Sequence, residues 1–380
     1  MPDQMTFREM NLRVFRREEV PHVFFQPRIE PWLQWQRDLG ELAPGFRDED
    51  IREIYRRHGF SMRYMHYGTG QPSPLSASYP DEVKISEERT GDRIVTRYDT
   101  PHGPLFQTNQ LTVDKSWRMV DFPVKTPEDL PRLAWLVRHR ELSFSEDKFA
   151  AGSEWMGDLG EPQFFLPKSP YFALAQQRMK YEDFIFALMD APGAVRECME
   201  AIDEGYDRLY EEIISSGAPK ILNLGENIAM AYLSPQYFEE YCIPWYEKRM
   251  GQLRSAGMFS HIHIDGYFRA LLPYLRDLPF DGLEALTPEP QGDVSVEEMH
   301  EAVGDKILLD GIPAILFMRY HPREEFEACV EQIVKLFHPR LVLGISDEIP
   351  QAADEEGARR LEWVAEYCRS HGAPDAGGAL

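Results

Sequence analysis

In the segment FSHIHIDG, residues 259–266, polar and apolar residues alternate as they do in a β-strand, and the segment ends in a polar cluster. His261 and His263 stand two residues apart, so on a strand their side chains point to the same face. Asp265 continues that face at the end of the strand, and Gly266 allows the chain to turn away. The pattern predicts a buried strand whose carboxyl end carries groups suited to metal binding or to acid/base chemistry.

From about residue 160 onward, short apolar strands alternate with amphipathic helices. Besides the segment at 259–264, the strand candidates are 163–166, 220–226, 281–287, 306–311 and 340–347. Such alternation indicates a parallel sheet covered by helices, which is either an open doubly wound sheet or a (β/α)8 barrel. No G-x-G-x-x-G follows a strand and no P-loop is present, which weakens the open nucleotide-binding sheet. We therefore predict an α/β fold, a (β/α)8 TIM barrel formed as a single domain over residues 1–380.

The N-terminal half departs from this alternation. HVFFQPR at 22–28 reads as a first buried strand. KISEERT at 84–90 and RIVTRY at 93–98 flank a Gly-Asp turn and predict a hairpin, with two more strand candidates at 105–113 and 117–124. We expect an antiparallel β insertion at about 61–125 within the barrel domain.

The composition excludes several classes of function. The 380 residues carry a net charge of -23, so a nucleic acid or an anionic membrane is not expected as a partner. No run of about 18 apolar residues predicts a membrane span, and the first residues lack the features of a signal peptide. The four cysteines form no CxxC and lie in helical patterns, as free thiols do in a reducing compartment. These features predict a cytoplasmic enzyme with a small-molecule substrate.

Polar side chains follow most of the predicted strands, where the active site of a barrel lies. Arg28, Lys168 and Tyr171 follow early strands, and Glu226, His263, Asp265, Asp310 and Asp347 follow later ones. The alternative is that the aspartates are helix caps or turn formers and that His263 is a satisfied core histidine. His261 lies two residues deeper in the strand, so it is expected to support His263. Together, Glu226, His263, Asp265 and Asp347 would form a one-nitrogen, multi-oxygen site for Zn²⁺ or a harder divalent metal.

Three segments carry a resemblance to a known family. GENIAMAYLSPQYFEEYCIPWY at 225–246, HIDG at 263–266 with LLPYL at 271–275, and SDEIP at 346–350 resemble the uroporphyrinogen decarboxylase superfamily. The similarity covers residues 160–372, and more loosely the first 60. It implies a (β/α)8 barrel and either a decarboxylase or a zinc-dependent methyltransferase that serves a corrinoid protein. Members of this superfamily are often dimers, which implies a homodimer here.

The residues favour the methyltransferase branch. True decarboxylases carry an RQAGRY-type segment after the first strand, whereas FQPRIEPW at 25–32 supplies only Arg28. One arginine is too few for a substrate with eight carboxylates. The zinc ligands of the methyltransferase branch match His263, Asp265 and Asp347, with both cysteines replaced by aspartate. Carboxylate ligands make a harder metal centre, suited to activating an oxygen atom.

The sequence thus predicts a metal-assisted methyltransferase that moves a methyl group from a small donor, such as a methoxylated compound, to a corrinoid protein. Glu226, His263 and Asp265 are the predicted catalytic residues. Those predicted to bind the substrate are Arg28, Trp32, Lys168, Tyr171, His261 and Asp310. One alternative is a metal-free lyase or decarboxylase that uses Asp265 and His263 as acid and base. Another is a non-catalytic protein that binds a partner through the β insertion.

Overall fold

The structure is a computed structural model that describes residues 5–47, 50–113, 116–228 and 233–370. In this part of the chain the strands are β1 (Leu75–Ser78), β2 (Lys84–Thr90), β3 (Arg93–Thr100), β4 (Gly103–Leu111), β5 (Trp117–Asp121), β6 (Glu141–Phe144), β7 (Phe165–Leu166), β8 (Ile221–Ile228), β9 (Phe259–Ile264), β10 (Gly282–Glu284), β11 (Ile307–Pro313) and β12 (Leu341–Ser346).

The helices of the same residues are mostly short. They are α1 (Phe7–Arg16), α2 (Glu30–Leu39), α3 (Ile51–His58), α4 (Leu130–Arg138), α5 (Glu146–Met156), α6 (Pro170–Phe172), α7 (Tyr181–Asp190), α8 (Pro192–Glu204), α9 (Asp207–Ser216), α10 (Pro235–Tyr237), α11 (Ile243–Ser255), α12 (Leu272–Leu275), α13 (Val296–Val303), α14 (Arg323–Phe337) and α15 (Glu355–Ser370). Two π-helical turns, Ala173–Arg178 and Phe238–Cys242, follow α6 and α10.

The chain divides into two compact units. The first comprises Met1–Ser73, Asp147–Leu166 and Gly217–Leu380, and the second comprises Pro74–Glu146 and Pro167–Ser216. The sequence interpretation of one domain over 1–380 stays a prediction.

A six-stranded parallel sheet, in the order β12-β11-β10-β9-β8-β7, forms the centre of the first unit. Every residue of β11 and β12 is buried, as expected for strands that are covered on both faces. The predicted α/β fold with a parallel sheet is therefore confirmed. β10 ends at Glu284, earlier than predicted, because Ala285 adopts a positive φ of 64° that interrupts the extended backbone.

Two segments without strand assignment of their own extend the hydrogen bonding of this sheet at both edges. Phe25 bridges Leu343 of β12 in parallel, and Tyr64 bridges Gln163, just before β7, in parallel. The amide of Ser61 donates to the carbonyl of Phe25 at 2.8 Å and so joins the two segments. The predicted strand at 22–28 is reduced to isolated bridges at His22 and Phe25.

The second unit contains the predicted antiparallel β structure. β2, β3, β4 and β5 pair in that order, and Thr90 lies opposite Arg93 as the predicted hairpin requires. The insertion begins later than the predicted residue 61, because residues 61–65 bond to the first unit's own chain near Gln163.

The amphipathic pattern at 195–216 predicts one long helix, but this prediction is wrong, since α8 ends at Glu204 and α9 begins at Asp207. Gly205 separates them, and glycine is a poor helix former. A β-carbon at Gly205 would lie 3.3 Å from the carbonyl oxygen of Val137, so the break is also a point of close packing.

The Ser-Pro pair at 234–235 predicts the start of a helix that runs to about residue 256, and this helix is present in three consecutive pieces, with a π-turn between α10 and α11. Pro244 lies in the first turn of α11 and has no amide hydrogen to donate, which favours a local change of helix type. In the residues that the structure describes, no helix has the length and apolar character needed to cross a bilayer.

Candidate active site

A fully buried arginine organises a charged cluster in the first unit. Arg63 donates to Glu284 Oε1 at 2.6 Å and to both carboxylate oxygens of Asp310 at 2.7 and 3.0 Å. Burial disfavours the charged guanidinium, but Asp310 and Glu284 outweigh it and raise the pKa of Arg63. Buried ions of this kind are tolerated only when each is paired with good geometry.

Glu284 is the acceptor on which several of the neighbouring side chains converge. The Tyr64 hydroxyl donates to it at 2.6 Å, and the Asn223 amide also donates to it. The Nδ1 atoms of His261 and His263 each lie 3.4 Å from Glu284 Oε2. Burial opposes ionisation, but the guanidinium of the buried arginine and the two imidazoles hold the pKa of Glu284 well below its ordinary value. Glu284 is therefore ionised.

The two histidines of β9 have different environments. His261 is fully buried with Nε2 2.7 Å from Gln163 Oε1, and burial lowers its pKa. His263 has Nε2 3.9 Å from Asp347 Oδ1. Burial also opposes its charge, but the hydrogen bond and the charge of Glu284 raise the pKa of His263. His263 is thus the histidine that holds a proton more readily, with His261 behind it.

Arg28 joins the buried cluster to the more exposed groups. Its Nη2 atom donates to Asp347 Oδ1 at 2.7 Å, and its guanidinium nitrogens lie 3.9 Å from Glu284 and from Asp310. Arg28 is only 4% exposed, whereas the side chain of Asp347 is 49% exposed. Its Nε is buried without a hydrogen-bond partner in the described residues. Asp347 therefore marks the solvent side of the cluster.

Two carboxyl groups with raised pKa values lie beside Arg28. Glu348 accepts a hydrogen bond from the Tyr67 hydroxyl at 2.6 Å, and burial raises its pKa. Glu30 accepts from the Tyr55 hydroxyl at 2.7 Å, and burial raises its pKa to about 7. Carboxyl groups whose pKa is raised are candidate proton donors at neutral pH.

Four residues in or directly after the parallel strands have an unusual backbone conformation. Non-glycine residues with positive φ occur at Asn227 in β8, Ala285 after β10, Asp310 in β11 and Asp347 after β12. Such conformations cost about 1–3 kcal/mol each and cluster at functional sites. Gly344 makes room for one of them, since a β-carbon there would lie 2.3 Å from Asp310 Oδ1.

The structure brings together five of the predicted site residues: Arg28, His261, His263, Asp310 and Asp347. Asp265 instead accepts a hydrogen bond from the Gly266 amide at 2.7 Å and acts as a turn former. Trp32 lies in the core with its indole donating to the Ala353 carbonyl at 2.8 Å. Glu226 is fully buried at the end of β8. The catalytic and substrate-binding roles assigned to these three from the sequence stay predictions.

Lys168 and Tyr171 belong to the second unit. Tyr171 is fully buried and packs edge-on against Phe172 and Phe184, with ring centroids 5.3 and 5.0 Å away. The Lys168 carbonyl accepts a hydrogen bond from the Tyr206 hydroxyl at 3.0 Å. Their substrate-binding roles also stay predictions.

Sequence reasoning missed Arg63, Tyr64 and Glu284. The signal for Glu284 was a charged residue inside DGLEALT, 281–287, an apolar strand expected to be buried on both faces. Arg63 and Tyr64 lay at the start of the stretch assigned to the β insertion, whose first predicted strand begins only at residue 84.

The residues predicted to hold zinc do not form a ligand set in this arrangement. Across the described ranges, no group of three or more His, Cys, Asp or Glu side chains is placed to hold a metal ion. Asp347 is bonded to Arg28, Asp265 to its own turn, and His263 Nδ1 faces Glu284. The arginines thus occupy positions where a cation would compete for the same carboxylates, and metal binding stays a prediction.

Comparison with known families decides the affiliation. The family model described as uroporphyrinogen decarboxylase (URO-D) matches residues 169–367, more than half of the chain. The chain belongs to the URO-D family. The matched stretch contains β8 to β12 with His263, Glu284 and Asp347, whereas Arg28 and Arg63 lie before it.

Solved structures similar to this URO-D family member include a methyltransferase from Methanosarcina mazei. The two share 12% sequence identity with a TM-score of 0.57, over 96% of this chain and 99% of that chain. At this identity the likeness shows the fold alone. A B12-independent methionine synthase from Shewanella sp. W3-18-1 has 13% identity and a TM-score of 0.44, over 83% of this chain and 84% of that chain, too low to support an argument. No curated protein sequence matches the chain.

Proposed function

We propose that this URO-D family member is an enzyme that uses acid/base catalysis on a small uncharged or cationic substrate. The observation that carries the proposal is the position of His263 between two carboxylates. Its Nδ1 lies 3.4 Å from buried Glu284, and its Nε2 lies 3.9 Å from half-exposed Asp347. Glu284 fixes the imidazole and raises its pKa, which leaves Nε2 on the solvent side to give or take a proton.

We infer that the six-stranded sheet closes into a (β/α)8 barrel. In support, the segments at Phe25 and Tyr64 bridge the two edge regions of the sheet, and Ser61 bonds to Phe25 between them. A closed barrel would place Arg28, His263 and Asp347 at one mouth, where barrel enzymes carry their active sites.

The charges of the cluster favour a substrate that is not an anion. Both arginines already have carboxylate partners, and Asp347 occupies the accessible side of Arg28. Glu348 adds a further carboxyl group near Asp347. An anionic substrate would have to displace Asp347 against this negative potential, in a chain with net charge -23.

The acid/base groups suit the release of an oxygen leaving group. In methyl transfer from a methoxylated donor, the C–O bond breaks, the methyl carbon bonds to the acceptor's electron pair, and the oxygen takes a proton. The imidazolium of His263 or the carboxyl group of Glu348 would supply that proton. In a lyase reaction the same groups would protonate the carbanion that remains after the bond breaks.

Metal-assisted methyl transfer to a corrinoid protein is the second candidate. It is favoured by the 3.9 Å separation of His263 Nε2 and Asp347 Oδ1, two of the predicted zinc ligands, and by the fold shared with a methyltransferase. Asp347 would have to leave Arg28 to bind a metal. Bound zinc would act as a Lewis acid on the oxygen of the donor.

The two candidates differ in their response to chelation. We would assay demethylation of methoxylated aromatic compounds with free cob(I)alamin as acceptor, in fresh and EDTA-treated protein. The acid/base proposal expects activity to survive chelation and to fall at least 100-fold in His263→Gln, since acid/base groups contribute about 10²–10⁴-fold. His102→Gln, at an exposed loop, is the control.

Activity lost on chelation and restored by zinc would establish the metal-assisted candidate instead. Equal activity of His263→Gln and the wild type would overturn both. A cytoplasmic location, a homodimer and a corrinoid protein partner remain proposals.

A further inference from the structure

A pair of arginines in the second unit lines a small cavity that is separate from the proposed active site. Arg140 lies between α4 and β6, and Arg178 ends the π-helical turn after α6. The cavity has a volume of about 20 Å³. Its polar lining is Arg140, Gln177, Arg178 and Tyr206, and its apolar lining includes Val137, Leu142, Ala173 and Ile202. We call this the arginine pocket.

The arginine pocket has no internal counter-charge. Among the residues that the structure describes, neither Arg140 nor Arg178 has an ion pair with a carboxylate. Burial, together with the charge of Arg178, lowers the pKa of Arg140. Two adjacent cations without a partner are unusual in a chain with net charge -23, and uncompensated charge in a partly buried position is costly.

The neighbouring arginine shows the ordinary arrangement. Arg138, two residues before Arg140, lies 3.2 Å from a carboxylate oxygen of Glu204 and 3.6 Å from one of Glu197. Acidic side chains are thus available on α8, yet they pair with the exposed Arg138 and not with the half-buried Arg140.

Other polar groups around the pocket are hydrogen-bond donors. The hydroxyls of Tyr79, Tyr98 and Tyr206 act electrostatically on Arg140, and that of Tyr206 donates to the Lys168 carbonyl. Glu87, which acts on Tyr98, accepts a hydrogen bond from Thr96 at 3.2 Å and does not line the pocket. The surroundings therefore favour an anion as occupant.

We propose that the arginine pocket binds a small tetrahedral oxyanion, either inorganic phosphate or the phosphoryl end of a metabolite. Two guanidinium groups present planar, paired donors that match phosphate oxygens. The cavity is large enough for one or two water-sized atoms, so it holds the oxygens of one such group while the remainder extends to solvent. This site is independent of the reaction proposed for His263.

The test is isothermal titration calorimetry of the full-length protein with inorganic phosphate and with ribose 5-phosphate in a chloride buffer. We expect saturable binding of phosphate to the wild type and to Arg138→Gln, the matched control. Arg140→Gln and Arg178→Gln should each weaken binding at least tenfold, since each replaces a charged donor of paired hydrogen bonds by a neutral amide. If ribose 5-phosphate binds more tightly than phosphate, the occupant is the phosphoryl end of a metabolite. If the two bind equally, the occupant is the free phosphate ion.

Wild-type protein alone gives a second measurement, should the variants fail to fold. Phosphate affinity should fall as sodium chloride is raised, whereas neutral ribose should not bind. No saturable phosphate binding to the wild type, or the same affinity in Arg138→Gln and Arg140→Gln, would overturn the proposal.

Discussion

Glu284 is the residue on which the charged cluster of the active site depends. It balances Arg63, accepts from Tyr64 and faces the Nδ1 atoms of both histidines. Removing its charge leaves a fully buried guanidinium with Asp310 as its one remaining close carboxylate. The imidazole of His263 and the stability of the fold are thus linked through a single side chain.

We predict that Glu284→Gln lowers the free energy of unfolding by about 3–5 kcal/mol, the usual cost of breaking a buried ion pair. Urea denaturation followed by circular dichroism would measure it. Glu289→Gln, at an exposed position five residues later, should change the free energy by less than about 0.5 kcal/mol. Similar losses in both variants would show that Glu284 does not anchor the cluster.

The raised pKa of His263 leads to a second prediction about a single residue. A group whose pKa is higher in the folded state stabilises the protein at pH values below its unfolded pKa of about 6.5. That contribution is lost as the pH rises through the folded pKa. The stability difference between wild type and His263→Gln should therefore be largest in acid and shrink toward alkaline pH.

The difference between the two proteins is the quantity to measure, because burial lowers the pKa of His261 and gives the opposite pH dependence in both. Unfolding curves at pH 5, 6, 7 and 8 would provide it, at intervals chosen to span the ordinary histidine pKa of about 6.5. A difference that grows with pH would contradict the raised pKa of His263.

Individual site residues were predictable from the sequence where a predicted strand carries a polar group after its apolar run. His263, Asp310 and Asp347 follow recognisable apolar runs, and the parallel sheet brings their strands together. Arg63 and Glu284 were not predictable, because Arg63 lies in a segment with a single β-bridge and Glu284 lies within the apolar run 281–287, which was expected to continue past it as a buried strand. Charge pairing between positions 221 residues apart leaves no local pattern in one sequence.

At the scale of elements, the contact between β11 and β12 fixes the position of Asp310. Gly344 of β12 lies opposite Gly311, and a β-carbon at Gly344 would meet Asp310 Oδ1 at 2.3 Å and the Gln26 carbonyl at 2.9 Å. These neighbours are an ion-paired carboxylate and a backbone atom, so neither can move without breaking another interaction. The strand pair thus requires glycine for a packing reason.

We predict that Gly344→Ala destabilises the protein by about 1–3 kcal/mol, the range for overpacking a core. Gly251→Ala in α11 is the matched control, because nothing lies within 4 Å of its added β-carbon. There the replacement should stabilise by about 0.4–1 kcal/mol. Thermal unfolding of both variants would decide, and a stable Gly344→Ala would mean that Asp310 has room to shift.

Element types were predicted better than element ends. The repeating strand–helix pattern found β8, β9, β11 and β12 within a few residues. It failed where one residue interrupts an element, as Ala285 does after β10 and Gly205 does between α8 and α9. Those breaks depend on tertiary contacts that hydrophobic periodicity does not contain.

At the scale of the whole molecule, the excess of 64 acidic over 41 basic residues acts on the folded state as a whole. Some of the acidic residues form surface ion pairs such as Arg323–Glu327 at 2.6 Å, which contribute little each. The remaining negative charges repel one another most strongly in the compact state. Salt should relieve that repulsion more than it weakens the surface pairs.

We predict that the Tm rises between 0.01 M and 0.15 M sodium chloride, as the Debye length falls from about 30 Å to about 8 Å. The effect comes from screening, so potassium chloride at equal ionic strength should give the same rise. Sucrose at equal osmolality, which does not screen charge, controls for effects of solute exclusion. A Tm that falls with salt would mean that the ion pairs, Arg28–Asp347 among them, outweigh the net repulsion, and the negative potential argued for the active site would then need another source.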